Sequence, residues 1–221
     1  MKSTKLADEV WYFEDAIDDA DEFLESLKEW EPNPNQEYMV SSIISTKEYL
    51  NLTDESIFKC LDIWYKNHET MDPTKYKVCK RTHIYKRGAG KGYGPHTDFN
   101  RMPDGTYEQV TATILAYLCD PEGYEGGEIY FPDYDVTIKP KLGSVVIFGN
   151  KVKHGVNDVL SGTRAIASVF LVKNRIFYQE MGADDPKNPT EEEKNKFHMW
   201  VPQYEEKNAN VDFSKLIKDT E

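Results

Sequence analysis

The chain has 221 residues, 39% hydrophobic and 30% charged, which suits a globular chain and excludes a disordered or fibrous one. A net charge of −12 argues against nucleic acid or an anionic membrane as partner. The length is that of one domain with a sizeable core, taken as a single unit over 1–221, and aromatics at 13% favour strands or a binding cleft.

Residues 1–74 are expected to be mostly helical support. Ala20, Phe23, Leu24 and Leu27 recur at helical spacing, and so do Ile57, Leu61, Trp64 and Tyr65 after the start signal Thr53-Asp54. Between them, Glu31-Pro32-Asn33-Pro34-Asn35 reads as a loop, because proline lacks a donor and turns its predecessor away from helix. Cys60, Cys79 and Cys119 are odd in number, widely spaced and form no CxxC, so reduced thiols in a cytoplasm are expected. The first residues lack an apolar run of leader type, and no stretch reaches membrane-spanning length. A cytoplasmic, soluble protein is therefore expected, with no membrane partner.

Residues 75–173 read as strands rich in β-branched and aromatic residues and separated by Gly, Pro, Asp and Asn. They are 75–85, 110–118, 127–131, 136–138, 144–148, 154–159 and 164–172, with one more near 93–99. About eight short strands without an intervening helix fit a mainly β, double-sheet jelly roll rather than a parallel α/β sheet. Residues 174–221 form an acidic tail. A capping box, Thr190 to Glu193 after Pro189, predicts one helix there, with Phe197 and Trp200 to dock it.

The chemistry begins at His96-Thr97-Asp98. On a strand, residues two apart share a face, so an imidazole and a carboxylate can occupy adjacent positions on one ion. His154, opening a later strand, can supply a third ligand. Two histidines and one carboxylate leave positions open, the pattern of non-haem Fe(II) oxygenases. Each also has a plain structural reading, His96 as a polar loop residue and His154 as a surface strand residue. Arg164, ten residues after His154, shares parity with Ile166, Ser168 and Phe170. If it points inward beside His154, a dicarboxylate would pair with its fork, and a surface ion pair is the alternative. Tyr85 and Tyr117 can donate to the same ligand or pack in the core. Lys86-Arg87 forms a small basic cluster near the site mouth. The glycine-rich stretch 86–94 and the segment 99–107 suggest a mobile lid rather than a phosphate cradle.

Taken in order, Tyr85, His96-Thr97-Asp98, Tyr117-Leu118, Gly126-Gly127-Glu128, Lys139-Pro140-Lys141-Leu142-Gly143-Ser144, Phe148, His154-Gly155-Val156 and Arg164 resemble the 2-oxoglutarate- and Fe(II)-dependent dioxygenases. The similarity is greatest to their prolyl 4-hydroxylase branch, including oxygen-sensing and bacterial or viral members. It covers 75–172 well, and Asp8-Glu9-Val10-Trp11-Tyr12-Phe13 is similar to the branch's first strand.

The resemblance implies a double-stranded β-helix with N-terminal supporting helices. It implies Fe(II) on His96, Asp98 and His154, with 2-oxoglutarate chelated to the metal and its far carboxylate on Arg164. Tyr117 would help hold that carboxylate, and Tyr85 would lie close by. The implied reaction couples O2-dependent decarboxylation of 2-oxoglutarate, to succinate and CO2, with hydroxylation of a substrate. Ascorbate would support it. The leading substrate is a proline-containing protein or peptide; a free amino acid or another protein side chain is the alternative, and a non-catalytic metal-binding jelly roll a further one. Many relatives carry Arg-x-Ser where this chain has Arg164-Ala165-Ile166, which shifts weight from a serine contact to Tyr117.

Overall fold

The computed structural model describes residues 1–27, 31–32, 40–43, 56–57, 59–67, 76–78, 83–90, 92–101 and 107–173. The chain opens with β1 (Lys2–Ala7), β2 (Val10–Glu14) and helix α1 (Ala20–Ser26), then β3 (Glu31–Pro32), β4 (Val40–Ile43) and helix α2 (59–66). Next come β5 (Tyr76–Val78), β6 (His83–Arg87), β7 (Tyr93–His96), β8 (Phe99–Arg101), β9 (Tyr107–Gln109) and β10 (Ala112–Tyr117). The last group is β11 (Tyr124–Gly126), β12 (Ile129–Phe131), β13 (Val136–Ile138), β14 (Val145–Gly149), β15 (His154–Val156), β16 (Val159–Gly162) and β17 (Arg164–Lys173).

Two antiparallel sheets build the body. The larger runs β1-β2-β14-β10-β17-β6-β4-β3, with β5 beside the far end of β17, and the smaller runs β13-β12-β15-β7. Strands β14, β10, β17 and β6 belong to the first sheet, and β7, β12, β13 and β15 to the second, so the chain repeatedly crosses between facing layers. That is the double-stranded β-helix, or jelly roll.

The larger sheet is buried on both sides, which explains why its strands read as nearly unbroken apolar runs. Trp11 and Phe13 on β2, Ile114 and Ala116 on β10, Val145 and Ile147 on β14, and Ala167 and Val169 on β17 pack with Phe23 of α1 and with Leu61 and Trp64 of α2. The alternate residues Val10, Leu115, Tyr117, Val146, Phe148 and Ile166 meet Ile129 and Phe131 of the smaller sheet. One set of side chains anchors the helices. The other lines the space between the sheets, where a site can sit.

The N-terminal region differs from its helical expectation. Both expected helices form, but β1 and β2 precede them and extend the larger sheet, with Val10–Phe13 paired along Phe148–Val145 of β14. Val10, Trp11 and Phe13 are buried on opposite faces of the sheet, which a strand permits and a surface helix does not. Glu31–Pro32, expected in a loop, pairs with Val40–Ser41 at the sheet edge, where a proline's missing donor is harmless. The expected strand 154–159 divides at Asn157-Asp158, because β15 joins the smaller sheet while β16 pairs with β11. The tail from 174, with its capping box, lies outside the described residues, as do Cys79, His68 and His198. Among the described residues Cys60 and Cys119 are free thiols, and burial pushes Cys60 up to about 12. No helix there is long and apolar enough to cross a membrane.

Helix α2 stabilises the sheet without touching the space between the layers. Leu61 on it is fully buried. Leu61→Ala should cost about 2–5 kcal/mol in urea unfolding, while the folded fraction keeps its metal stoichiometry.

Candidate active site

His96 closes β7 and His154 opens β15, and the two are direct cross-strand partners. Their rings lie 4.3 Å apart between centroids. Asp98 does not sit on a continuing strand, contrary to the expected alternation. β7 ends at His96, and Asp98 lies in the short irregular link before β8. The link still returns the carboxylate to the histidines: His96 Nε2 is 3.4 Å from Asp98 Oδ1, and His154 Nε2 is 3.5 Å from Asp98 Oδ2. One ligand atom from each of the three residues falls within 4.8 Å of the others.

The histidine protons can be placed from their partners. His96 Nδ1 donates to the Gly94 carbonyl at 2.9 Å, and His154 Nδ1 faces the Val152 carbonyl at 3.4 Å. A carbonyl only accepts, so each Nδ1 holds a hydrogen, which leaves each Nε2, turned toward Asp98, as the atom that can ligate a metal once its own proton is lost. Phe148 packs on His154 at 4.4 Å and Tyr93 meets His96 edge-on at 4.3 Å, which fixes both rings. Thr113 Oγ1 donates to Asp98 Oδ2 at 2.5 Å and orients the carboxylate. Thr113 was missed in the sequence. Its signal was parity, since it shares the inward face of β10 with Leu115 and Tyr117.

The charges follow from these contacts. Burial works to raise Asp98, but the His96 hydrogen bond, the His154 ring and Thr113 outweigh it and hold the carboxyl below its usual range. Burial pushes His154 down. It acts the same way on His96, where Asp98 and the Gly94 carbonyl prevail and raise the ring. Two imidazole lone pairs and a carboxylate turned to one point suit a divalent transition metal.

Arg164 opens β17, in the opposite sheet from His154. The two are not neighbouring strands, as the sequence reading supposed; they face each other across the interior. A pocket of about 190 Å³ is lined by His96, Asp98 and His154 on one side and by Tyr85, Arg87 and Arg164 on the other. Arg164 is only 4% exposed. Its Nη2 donates to the Tyr117 hydroxyl at 3.3 Å, its guanidinium lies 5.3 Å from the Tyr117 ring centroid, and among the described residues its Nε has no partner. Among the described residues no carboxylate pairs with it, so the surface ion pair considered from sequence is not what forms. Tyr117 is fully buried, and burial pushes its hydroxyl up, so it stays protonated. Ile166 lines the same pocket where a serine would have offered a hydroxyl.

Two signature turns hold the halves in register. Gly127 has φ +69°, its N–H donates to Asp158 O at 2.9 Å, and a Cβ there would lie 3.1 Å from both Arg164 Cδ and the Tyr124 ring. Gly143, at φ +72°, accepts from the Ala16 and Ile17 amides at 3.0 and 2.9 Å, and a Cβ there would strike Ile17 O. The segment expected as a lid is pinned in part. Gly90 exchanges two backbone bonds with Val159, at 2.9 and 3.0 Å, and Gly92 N donates to Asp158 at 2.7 Å.

The chain's likeness to known proteins agrees with this geometry. Residues 81–172 match the family described as the 2OG-Fe(II) oxygenase superfamily. A PKHD-type hydroxylase of Azoarcus sp. (strain BH72) is 36% identical over 97 residues, covering 41% of this chain and 42% of that protein. The prolyl 4-hydroxylase subunit alpha-2 of Gallus gallus is 36% identical over 86 residues, 37% of this chain and 16% of that one. The chain thus spans less than half the length of these curated relatives. The viral collagen prolyl hydroxylase of Paramecium bursaria Chlorella virus-1, solved with 2OG, shares the fold with a TM-score of 0.56 at 20% identity, over 76% of this chain and 98% of that one. Over its site-bearing segment the chain is therefore similar to the 2OG-Fe(II) oxygenase superfamily.

Metal uptake should depend on each of the three residues. Asp98→Ala and His154→Ala should abolish stoichiometric Mn(II) binding by metal analysis. Thr113→Val should weaken it roughly 10- to 100-fold, because an outer partner of a ligand is lost. Affinity should fall as pH drops through the raised His96 value, since the metal must displace a proton there.

Proposed function

We propose that the chain is a Fe(II)- and 2-oxoglutarate-dependent hydroxylase acting on a peptidyl proline. The observation that carries this reading is Arg164. A buried guanidinium is costly without an anion, and this one shares a pocket with a three-ligand cluster and keeps an unpaired Nε. A metal retained for structure needs no such cation. A ligand joining a metal-binding end to a far carboxylate accounts for both features, and 2-oxoglutarate has that form.

The residues fit the implied group. His96, Asp98 and His154 would hold Fe(II). When bound, the metal supplies the oxidising chemistry that couples 2-oxoglutarate decarboxylation to insertion of an oxygen atom into a C–H bond. The chain's own part is positional. Arg164 grips the far carboxylate, Tyr117 adds a hydroxyl hydrogen, and Tyr85 walls the pocket. Phe148, Leu115 and Ile166 exclude water. The His96 side chain is 30% exposed against 6% for His154, so the substrate approaches from the His96 side. An open groove of about 710 Å³ begins there, shares Tyr93 and Val156 with the pocket, and can receive an extended peptide.

The choice of proline is supported by likeness to a prolyl 4-hydroxylase subunit over the site-bearing segment. Ascorbate would sustain turnover by keeping iron reduced. A reducing, cytoplasmic setting suits the free Cys60 and Cys119.

With Fe(II), O2 and 2-oxoglutarate, proline-containing peptides should gain one oxygen atom by mass spectrometry, with one succinate formed per product. No succinate with any peptide, ascorbate present, would leave the non-catalytic reading. Arg164→Ala should keep iron yet lose about 2–5 kcal/mol of 2-oxoglutarate binding, roughly 30- to several-thousand-fold. An Arg164→Ala protein that folds and binds 2-oxoglutarate as the parent does would end this assignment.

A further inference from the structure

Arg87, expected in a basic cluster at the site mouth, lies inside. It ends β6 directly opposite Arg164 on β17, and its 7% exposure sets it with Arg164, at 4%, rather than with the rim residue Tyr93, at 44%. Tyr85 and Arg87 share the inward face of β6, and both line the pocket. Directly opposed antiparallel residues have Cα atoms about 4.5–5.5 Å apart, and like charges so placed repel. Burial and the Arg164 guanidinium together depress Arg87. Two guanidinium groups on one wall of one pocket can both reach an anion held between them. On the assignment of 2-oxoglutarate made above, the geometry points to Arg87 as a second guanidinium for the far carboxylate, forming with Arg164 a two-arginine clamp.

The stereochemistry leaves room for this partner. A carboxylate offers about four acceptor sites. The Arg164 fork and the Tyr117 hydroxyl cannot fill all of them, and Ile166 on the next inward position of β17 has no donor to give. Arg87 comes from the neighbouring strand on the side away from Tyr117, since β17 lies between β10 and β6. The two strands flanking β17 thus each bring one donor to the anion that its first residue holds.

The test uses the Fe(II)-loaded protein under argon and three probes followed by calorimetry. 2-Oxoglutarate has both ends, glutarate lacks the keto group, and 2-oxobutyrate lacks the far carboxylate. Arg87→Met should weaken 2-oxoglutarate and glutarate roughly ten- to a hundred-fold and leave 2-oxobutyrate unchanged. Arg87→Lys should recover part of the loss, keeping charge without the fork. The rise in Tm of Arg87→Met with 2-oxoglutarate should be smaller than that of the parent. Parent-like 2-oxoglutarate binding in Arg87→Met overturns the clamp and leaves the co-substrate assignment standing. So does an equal loss for 2-oxobutyrate, which makes Arg87 a structural residue. A parent that takes up no 2-oxoglutarate instead removes the assignment itself.

Discussion

A buried guanidinium that meets no carboxylate among the described residues is the constraint on which the site depends. Arg164 holds the first position of β17, packed beside Gly127 and hydrogen-bonded to Tyr117. Everything around it serves either to keep it there or to face it with a metal-binding end. Gly127 gives it space. β10 supplies Tyr117 toward the arginine and Thr113 toward Asp98, on one face of one strand. The polar ends of the pocket are therefore set by a single rigid element. Displacing β10 would disturb the metal side and the anion side together.

That rigidity comes from the far face of the same sheet. Ile114 and Ala116 of β10, Val145 and Ile147 of β14, and Ala167 and Val169 of β17 are buried against α1 and α2. With helices sealing one face, the other can carry arginine, threonine, tyrosine and serine without exposing the sheet to water. The smaller sheet needs less support. It contributes His96 and His154 as opposed partners, and aromatic contact with Phe148 and Tyr93 holds their rings.

Much of this was legible in the sequence, and the limits were physical. Strands β10, β14 and β17 stood out because burial on both faces makes them apolar throughout. The metal-type cluster and Arg164 were found from residue type and order. What failed was any inference that needed to know which strands are neighbours. His154 and Arg164 are ten residues apart but belong to opposite sheets, because the chain crosses between them through β16. Asp98 reaches the histidines through a link rather than by strand alternation. The first fourteen residues fell in a region read as mostly helical, and only the resemblance marked 8–13 as strand, because the partner of β2, β14, lies over a hundred residues away. Arg87 was taken for surface charge, although its parity with Tyr85 was the clue to its inward direction. Composition suggests that arginine is exposed, and only the pairing with β17 overrides it.

The central claim is that one molecule spans the metal cluster and Arg164. The most direct measurement is 2-oxoglutarate affinity with and without Mn(II), by calorimetry, read beside Mn(II) affinity with and without 2-oxoglutarate. If both groups hold the same ligand, each must tighten the other by the same factor. An affinity for 2-oxoglutarate that does not change with the metal would place the dicarboxylate elsewhere and contradict the account.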